Sequence, residues 1–84
     1  MRYNIYGTAI RIVRKQRQCS QEQLMSRTGM VRSQLYYLES GQRLPRIDTL
    51  EIICQALDIP LSKFFLIVEQ IREMELNGGG SGAP

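Results

Sequence analysis

Histidine is absent from the 84-residue chain. That removes the side chain most used as a general base, and one partner of every Ser–His or Cys–His nucleophile pair. The two cysteines, Cys19 and Cys54, lie far apart and form no C-x-x-C pair. A zinc site would have to combine two thiolates with carboxylates, an improbable donor set. Both cysteines occupy apolar-patterned positions, so buried, inert thiols are expected, with redox sensing or a disulfide as the alternative. No apolar run approaches the roughly 20 residues that span a bilayer. The opening Met1-Arg2-Tyr3-Asn4 is not followed by a signal-peptide apolar region with a small-residue cleavage site. A cytoplasmic protein without membrane association is expected. With no glycine-rich phosphate loop and no paired-carboxylate cleft either, an enzyme is not expected, nor any metal or cofactor.

What is present fits one small domain. A chain this short buries only ~60% of its unfolded surface, so a partner subunit is a common source of further stability. The net charge of +3 conceals a division. Up to Arg46, nine basic residues (Arg2, Arg11, Arg14, Lys15, Arg17, Arg27, Arg32, Arg43 and Arg46) face only Glu22 and Glu39. Beyond it, Lys63 and Arg72 face Asp48, Glu51, Asp58, Glu69, Glu73 and Glu75. A basic half on a small protein suggests a polyanionic partner, and the acidic remainder argues against general membrane-surface binding. The plainer alternative is a solvated helix surface.

Five helical segments and no strand are expected, giving an all-α class. The first runs from about Tyr3 to Arg17, with Tyr6, Ala9, Ile10 and Val13 at helical spacing. Ser20 with Gln23 forms an S-x-x-Q capping box that starts a second, short helix. Gly29 ends it, since a left-handed conformation costs glycine nothing. The third spans about Val31 to Ser40, with Leu35 and Leu38 inward, and stops at Gly41. The fourth, about Ile47 to Leu57, turns Leu50, Ile53, Cys54 and Leu57 to one side. Pro60 suits the first turn of a fifth helix. The domain is expected over residues 1–76. Residues 77–84, Asn-Gly-Gly-Gly-Ser-Gly-Ala-Pro, are expected to be a flexible linker or appended remnant outside the fold.

Two short helices joined by a tight glycine turn carry the pattern of a helix-turn-helix, centred on Ser20 to Gly41. A major groove about 12 Å wide admits one helix while its neighbour lies across the backbone. The third helix has Arg32, Ser33, Tyr36, Tyr37 and Ser40 on its outward face.

Residues 7–65 resemble the lambda-repressor/Cro-type (XRE) helix-turn-helix family. The matching elements are Gly7-x-x-Ile10-x-x-x-Arg14, Ser20-Gln21-Glu22-Gln23-Leu24 and Gly29. They continue with Leu35-x-x-Leu38-Glu39-x-Gly41, Pro45-x-x-x-x-Leu50 and Ala56-Leu57-x-Ile59-Pro60-Leu61-x-x-Phe64-Phe65. The resemblance implies a five-helix bundle that binds double-stranded operator DNA, usually as a dimer. Val31 departs from a frequent Ser or Thr cap, Gln18 from a frequent glycine, Cys19 from a usual aliphatic and Met25 from a common alanine. The last change is expected to loosen or shift packing between the two motif helices.

The resemblance also implies roles. Arg32, Ser33 and Tyr37 fall at base-reading positions, with Tyr36 a weaker candidate, and Arg32 would prefer guanine because its fork matches O6 and N7. Ser20 and Gln21 at the start of the second helix, Gln42 and Arg43 past the third, and Lys15 and Arg17 are expected at phosphates. Arg14 and Glu39 are expected to form a structural ion pair, with DNA contact the alternative for Arg14. Leu24, Met30, Leu35, Leu38, Leu50, Ile53, Leu57 and Ile59 are expected in the core, and Arg27 on a plain surface.

The last helix, about residues 60–76, is more apolar than one face requires. Leu61, Phe64, Phe65 and Val68 form a stripe that closes the core. Leu66, Ile67, Ile71 and Met74 are expected outside it, as a dimer interface. Small controllers of restriction-modification genes are similar in this architecture. A two-fold dimer would set its recognition helices roughly 34–36 Å apart on a near-palindromic site. The alternatives are packing within a longer fold, and an interaction adaptor or antitoxin whose last helix binds a partner protein.

Overall fold

A computed structural model describes residues 4–76. The segment 77–84, Arg2 and the expected helix start at Tyr3 lie outside the described residues. Among the described residues five helices follow in order: α1 Ile5–Gln16, α2 Gln21–Thr28, α3 Arg32–Glu39, α4 Ile47–Ala56 and α5 Leu61–Met74. No strand occurs among the described residues.

The helix ends follow local chemistry. Asn4 stands in extended conformation before α1, and its Oδ1 accepts from the Gly7 N–H at 3.2 Å. The capping box of α2 is complete: Ser20 Oγ accepts from the Gln23 N–H at 3.0 Å, and Gln23 Oε1 accepts from the Ser20 N–H at 2.8 Å. Gly29 closes α2 at φ 77°, and Gly41 follows α3 at φ 80°. Gln18, standing where a glycine is frequent in similar chains, is itself left-handed at φ 53°. That conformation costs a side-chain-bearing residue roughly 1–2 kcal/mol. Val31 caps α3 with no side-chain hydrogen bond, as its aliphatic side chain dictates.

α1 packs against α3 and α5, α2 against α3 and α4, and α4 against α5. The buried core takes Ala9, Ile10 and Val13 from α1, Leu24 from α2, Leu35 and Leu38 from α3, and Leu50, Ile53 and Cys54 from α4. Leu57, Ile59, Phe64 and Val68 complete it together with Cys19 and Ile71. Of the residues expected in the core, Met30, Leu61 and Phe65 are only partly buried; Met25 also lies partly buried against the core. Cys19 and Cys54 are both free and buried, and burial pushes the Cys54 thiol up to about 11.

One expectation about α5 needs correction. Ile71 is 9% exposed and belongs to the chain's own core, because it extends the Phe64 and Val68 stripe by one turn. Ile67 is partly buried against that core. Leu66 and Met74 remain open, at 54% and 70% exposed, and Leu76, which periodicity did not single out, joins them at 72%.

Candidate nucleic-acid interface

α3 is held by its inward side and its C-terminal end. Leu35 and Leu38 anchor it in the core, while Arg32, Ser33, Gln34, Tyr36 and Tyr37 are exposed. Its end is fixed by α1 at very short range. A Cβ on Gly7 would lie 2.8 Å from the Glu39 carbonyl oxygen and 2.8 Å from the Gly41 nitrogen, and would strike the Leu38 carbonyl. Only glycine allows the two backbones to approach in this way. The Gly41 carbonyl also accepts from Asn4, through its backbone N–H at 3.0 Å and its side-chain Nδ2 at 2.9 Å.

A buried polar cluster makes the second tie. Arg14 Nε donates to Glu39 Oε2 at 2.6 Å and its Nη2 to Glu39 Oε1 at 3.1 Å. Nη1 of Arg14 reaches the Cys19 carbonyl at 3.0 Å, and Gln21 Nε2 donates to Glu39 Oε1 at 3.0 Å. The carboxylate thus receives three hydrogen bonds and joins α1, the start of α2 and the end of α3. Among the described residues no buried side-chain nitrogen or oxygen lacks a partner. For Gln21 this revises the expected role: its side chain is committed to Glu39, and its backbone N–H, in the unpaired first turn of α2, is what it can offer an anion. Ser20 Oγ is likewise engaged in the cap.

On the open side, Arg32 Nη2 donates to Glu22 Oε2 at 3.0 Å, with the two side chains 65% and 66% exposed. The Arg32 guanidinium draws the Glu22 carboxyl below the usual carboxylate range, with a smaller contribution from its own backbone N–H. Tyr36 and Tyr37 meet edge to face at 5.3 Å between centroids. The Arg43 guanidinium lies 5.4 Å from the centre of the Tyr37 ring, so a residue expected at phosphate supports one expected at bases. Gln42 Nε2 donates to Ser40 Oγ at 3.0 Å.

Lys15 and Gln21 come together in a cleft of about 310 Å³ between α1 and α3, lined also by Arg11, Arg14, Tyr36, Glu39 and Ser40. Arg17 is exposed but lies outside that cleft. Among the described residues Arg11, Lys15, Arg17 and Arg43 form no ion pair. Arg11 was missed as a phosphate candidate; its i, i+4 spacing from Lys15 was the available signal. Arg27, expected on plain surface, reaches the Ala56 carbonyl at 3.3 Å and Cys19 Sγ at 3.6 Å, bracing α2 against the end of α4.

Two short helices at a glycine turn, the second buried along one side and open along the other, define a helix-turn-helix domain. The family model described as Helix-turn-helix matches residues 10–64, and the chain belongs to that family, the XRE type to which lambda repressor and Cro are similar. Membership makes it a DNA-binding transcriptional regulator. No curated protein gives a significant match. Among the described residues, no helix is long and apolar enough to cross a membrane.

Proposed function

We propose that the chain is a sequence-specific regulator that lays α3 in the major groove of an operator and acts as a repressor or controller. The observation that carries this is the division of α3, with Leu35, Leu38 and Glu39 buried and Arg32, Ser33, Tyr36 and Tyr37 open. In this reading Arg32 reads guanine, while Ser33, Tyr36 and Tyr37 contact neighbouring base edges or a thymine methyl. Lys15, Arg17, Gln42, Arg43 and the backbone at Ser20 and Gln21 hold phosphates, with Arg11 added to them. Those contacts set register and affinity without carrying sequence.

The assembly belongs to the same proposal. Leu66 and Met74 on α5 and Leu76 just past its end are exposed apolar side chains that a second copy would cover by two-fold symmetry, matching a near-palindromic site. The same exposed side chains favour a second reading, in which this end of the chain binds a different protein and the chain is an adaptor or antitoxin. Fluorescence anisotropy with a duplex taken from the DNA upstream of the gene, at stepped salt, separates the two. The four cations Arg11, Lys15, Arg17 and Arg43 would give a log–log salt slope of about −4 for one protomer and about −7 for a two-fold dimer. A flat response would favour the adaptor.

A further inference from the structure

The basic half of the chain carries two carboxylates, and they have different fates. Glu39 is buried beneath Arg14 and Gln21. Glu22 is therefore the one exposed negative charge among residues 4–46. It sits on the arginine proposed to read bases, 3.0 Å from Arg32 Nη2. An ion pair with both side chains about two-thirds exposed contributes little to folding. A carboxylate on a surface meant for a polyanion also lowers affinity, so binding strength does not account for its place, and the ion pair itself adds little to stability. Its physical effect is to choose a position for the Arg32 guanidinium.

We infer that Glu22 is a positioning residue for specificity, holding the Arg32 guanidinium toward base edges and withholding it from phosphates. This rests on α3 being the base-reading helix. Arg32 has five N–H donors in a planar fork. With one Nη committed to Glu22, the others remain to meet O6 and N7 of a guanine at a fixed angle. On a non-cognate site no guanine completes the arrangement. A phosphate gripped from that fixed position meets the Glu22 charge at close range, and one gripped elsewhere requires Arg32 to leave Glu22 facing the DNA backbone alone. The cost falls mainly on the wrong sequence, so the pair raises discrimination while lowering general adhesion. Glu22 also lies in the first turn of α2, where a negative charge suits the helix dipole. That effect would alter thermal stability but not base preference.

Glu22→Gln keeps the shape and one acceptor oxygen while removing the charge. The full chain, with and without this change, would be titrated against three duplexes. These are one recovered by selection from a randomised library, the same duplex with its Arg32-dependent guanine replaced, and a random sequence. Glu22→Gln should tighten binding to random DNA about 2–5-fold and cut the preference for the guanine by a similar factor. Its salt slope on random DNA should steepen by about one. In an Arg32→Ala background the same change should leave guanine preference untouched. Equal tightening on all three duplexes, or a shift in melting temperature with preference unchanged, overturns the inference. If Arg32→Ala itself leaves guanine preference intact, the base-reading assignment of α3 has failed and this inference fails with it. That outcome is distinct from a wild type and Arg32→Ala that behave as proposed while Glu22→Gln does nothing.

Discussion

Arg14 shows how one side chain serves the interface without facing DNA. Its guanidinium is spent on Glu39 and on the Cys19 carbonyl, and it lies buried among three helices. A buried ion pair is weak evidence of net stability, because desolvation opposes the Coulomb attraction. Removing one partner is another matter. Arg14→Ala would leave Glu39 as a buried carboxylate with only Gln21 to solvate it. Urea unfolding should show a loss of about 3–5 kcal/mol, and any lost DNA binding should follow the folded fraction. A variant that keeps its stability yet loses affinity would make Arg14 a direct contact instead.

At the scale of helices, the precision of α3 comes from its seat against α1. In an ordinary exposed helix interior, glycine to alanine would gain about 1 kcal/mol. At Gly7 the new methyl would run into the backbone of Leu38, Glu39 and Gly41. Gly7→Ala should therefore destabilise the domain, by about 1–3 kcal/mol or more since backbone must move, as read by thermal melting. An unchanged or raised melting temperature would mean that the close approach does not hold α3.

Most helix boundaries were legible because they depend on neighbours in sequence. Ser20 and Gln23 lie one turn apart, and Gly29 and Gly41 stand where helices must stop. The missing cap at Val31 could also be read directly. Contacts that need the fold were not legible. Glu22 and Arg32 are ten positions apart and meet only because the turn at Gly29 brings the starts of α2 and α3 together. The bonds from Asn4 to Gly41 span the domain, and nothing in either residue announces them. Ile71 was misplaced for a related reason. Periodicity gives the direction of a side chain, but how far a buried stripe continues depends on the depth at which α5 lies on α1.

The chain divides its charge as the proposed function requires, with free cations on α1 and just beyond α3 and six of the eight carboxylates from α4 onward. One domain offers one recognition helix, and linking two binding events can raise affinity by on the order of 10²-fold or more. Met74 is the most direct handle on that assembly, being 70% exposed and outside the chain's own core. Met74→Glu should leave folding unchanged, move the sedimenting species from dimer to monomer, and weaken full-site binding on the order of 10²-fold with half-site binding kept. A monomeric wild type would overturn the proposed dimer, and a dimer indifferent to the change would place its surface elsewhere.

The central claim is that the open side of α3 reads sequence while the residues around it hold the backbone. Its most direct measurement is the affinity of Arg32→Ala and Arg43→Ala for a selected duplex and for that duplex with one guanine replaced. Arg32→Ala is predicted to lose about 1–3 kcal/mol on the first and almost nothing on the second. Arg43→Ala should weaken both equally. Equal losses from Arg32→Ala on the two duplexes, or none on either, would contradict the account.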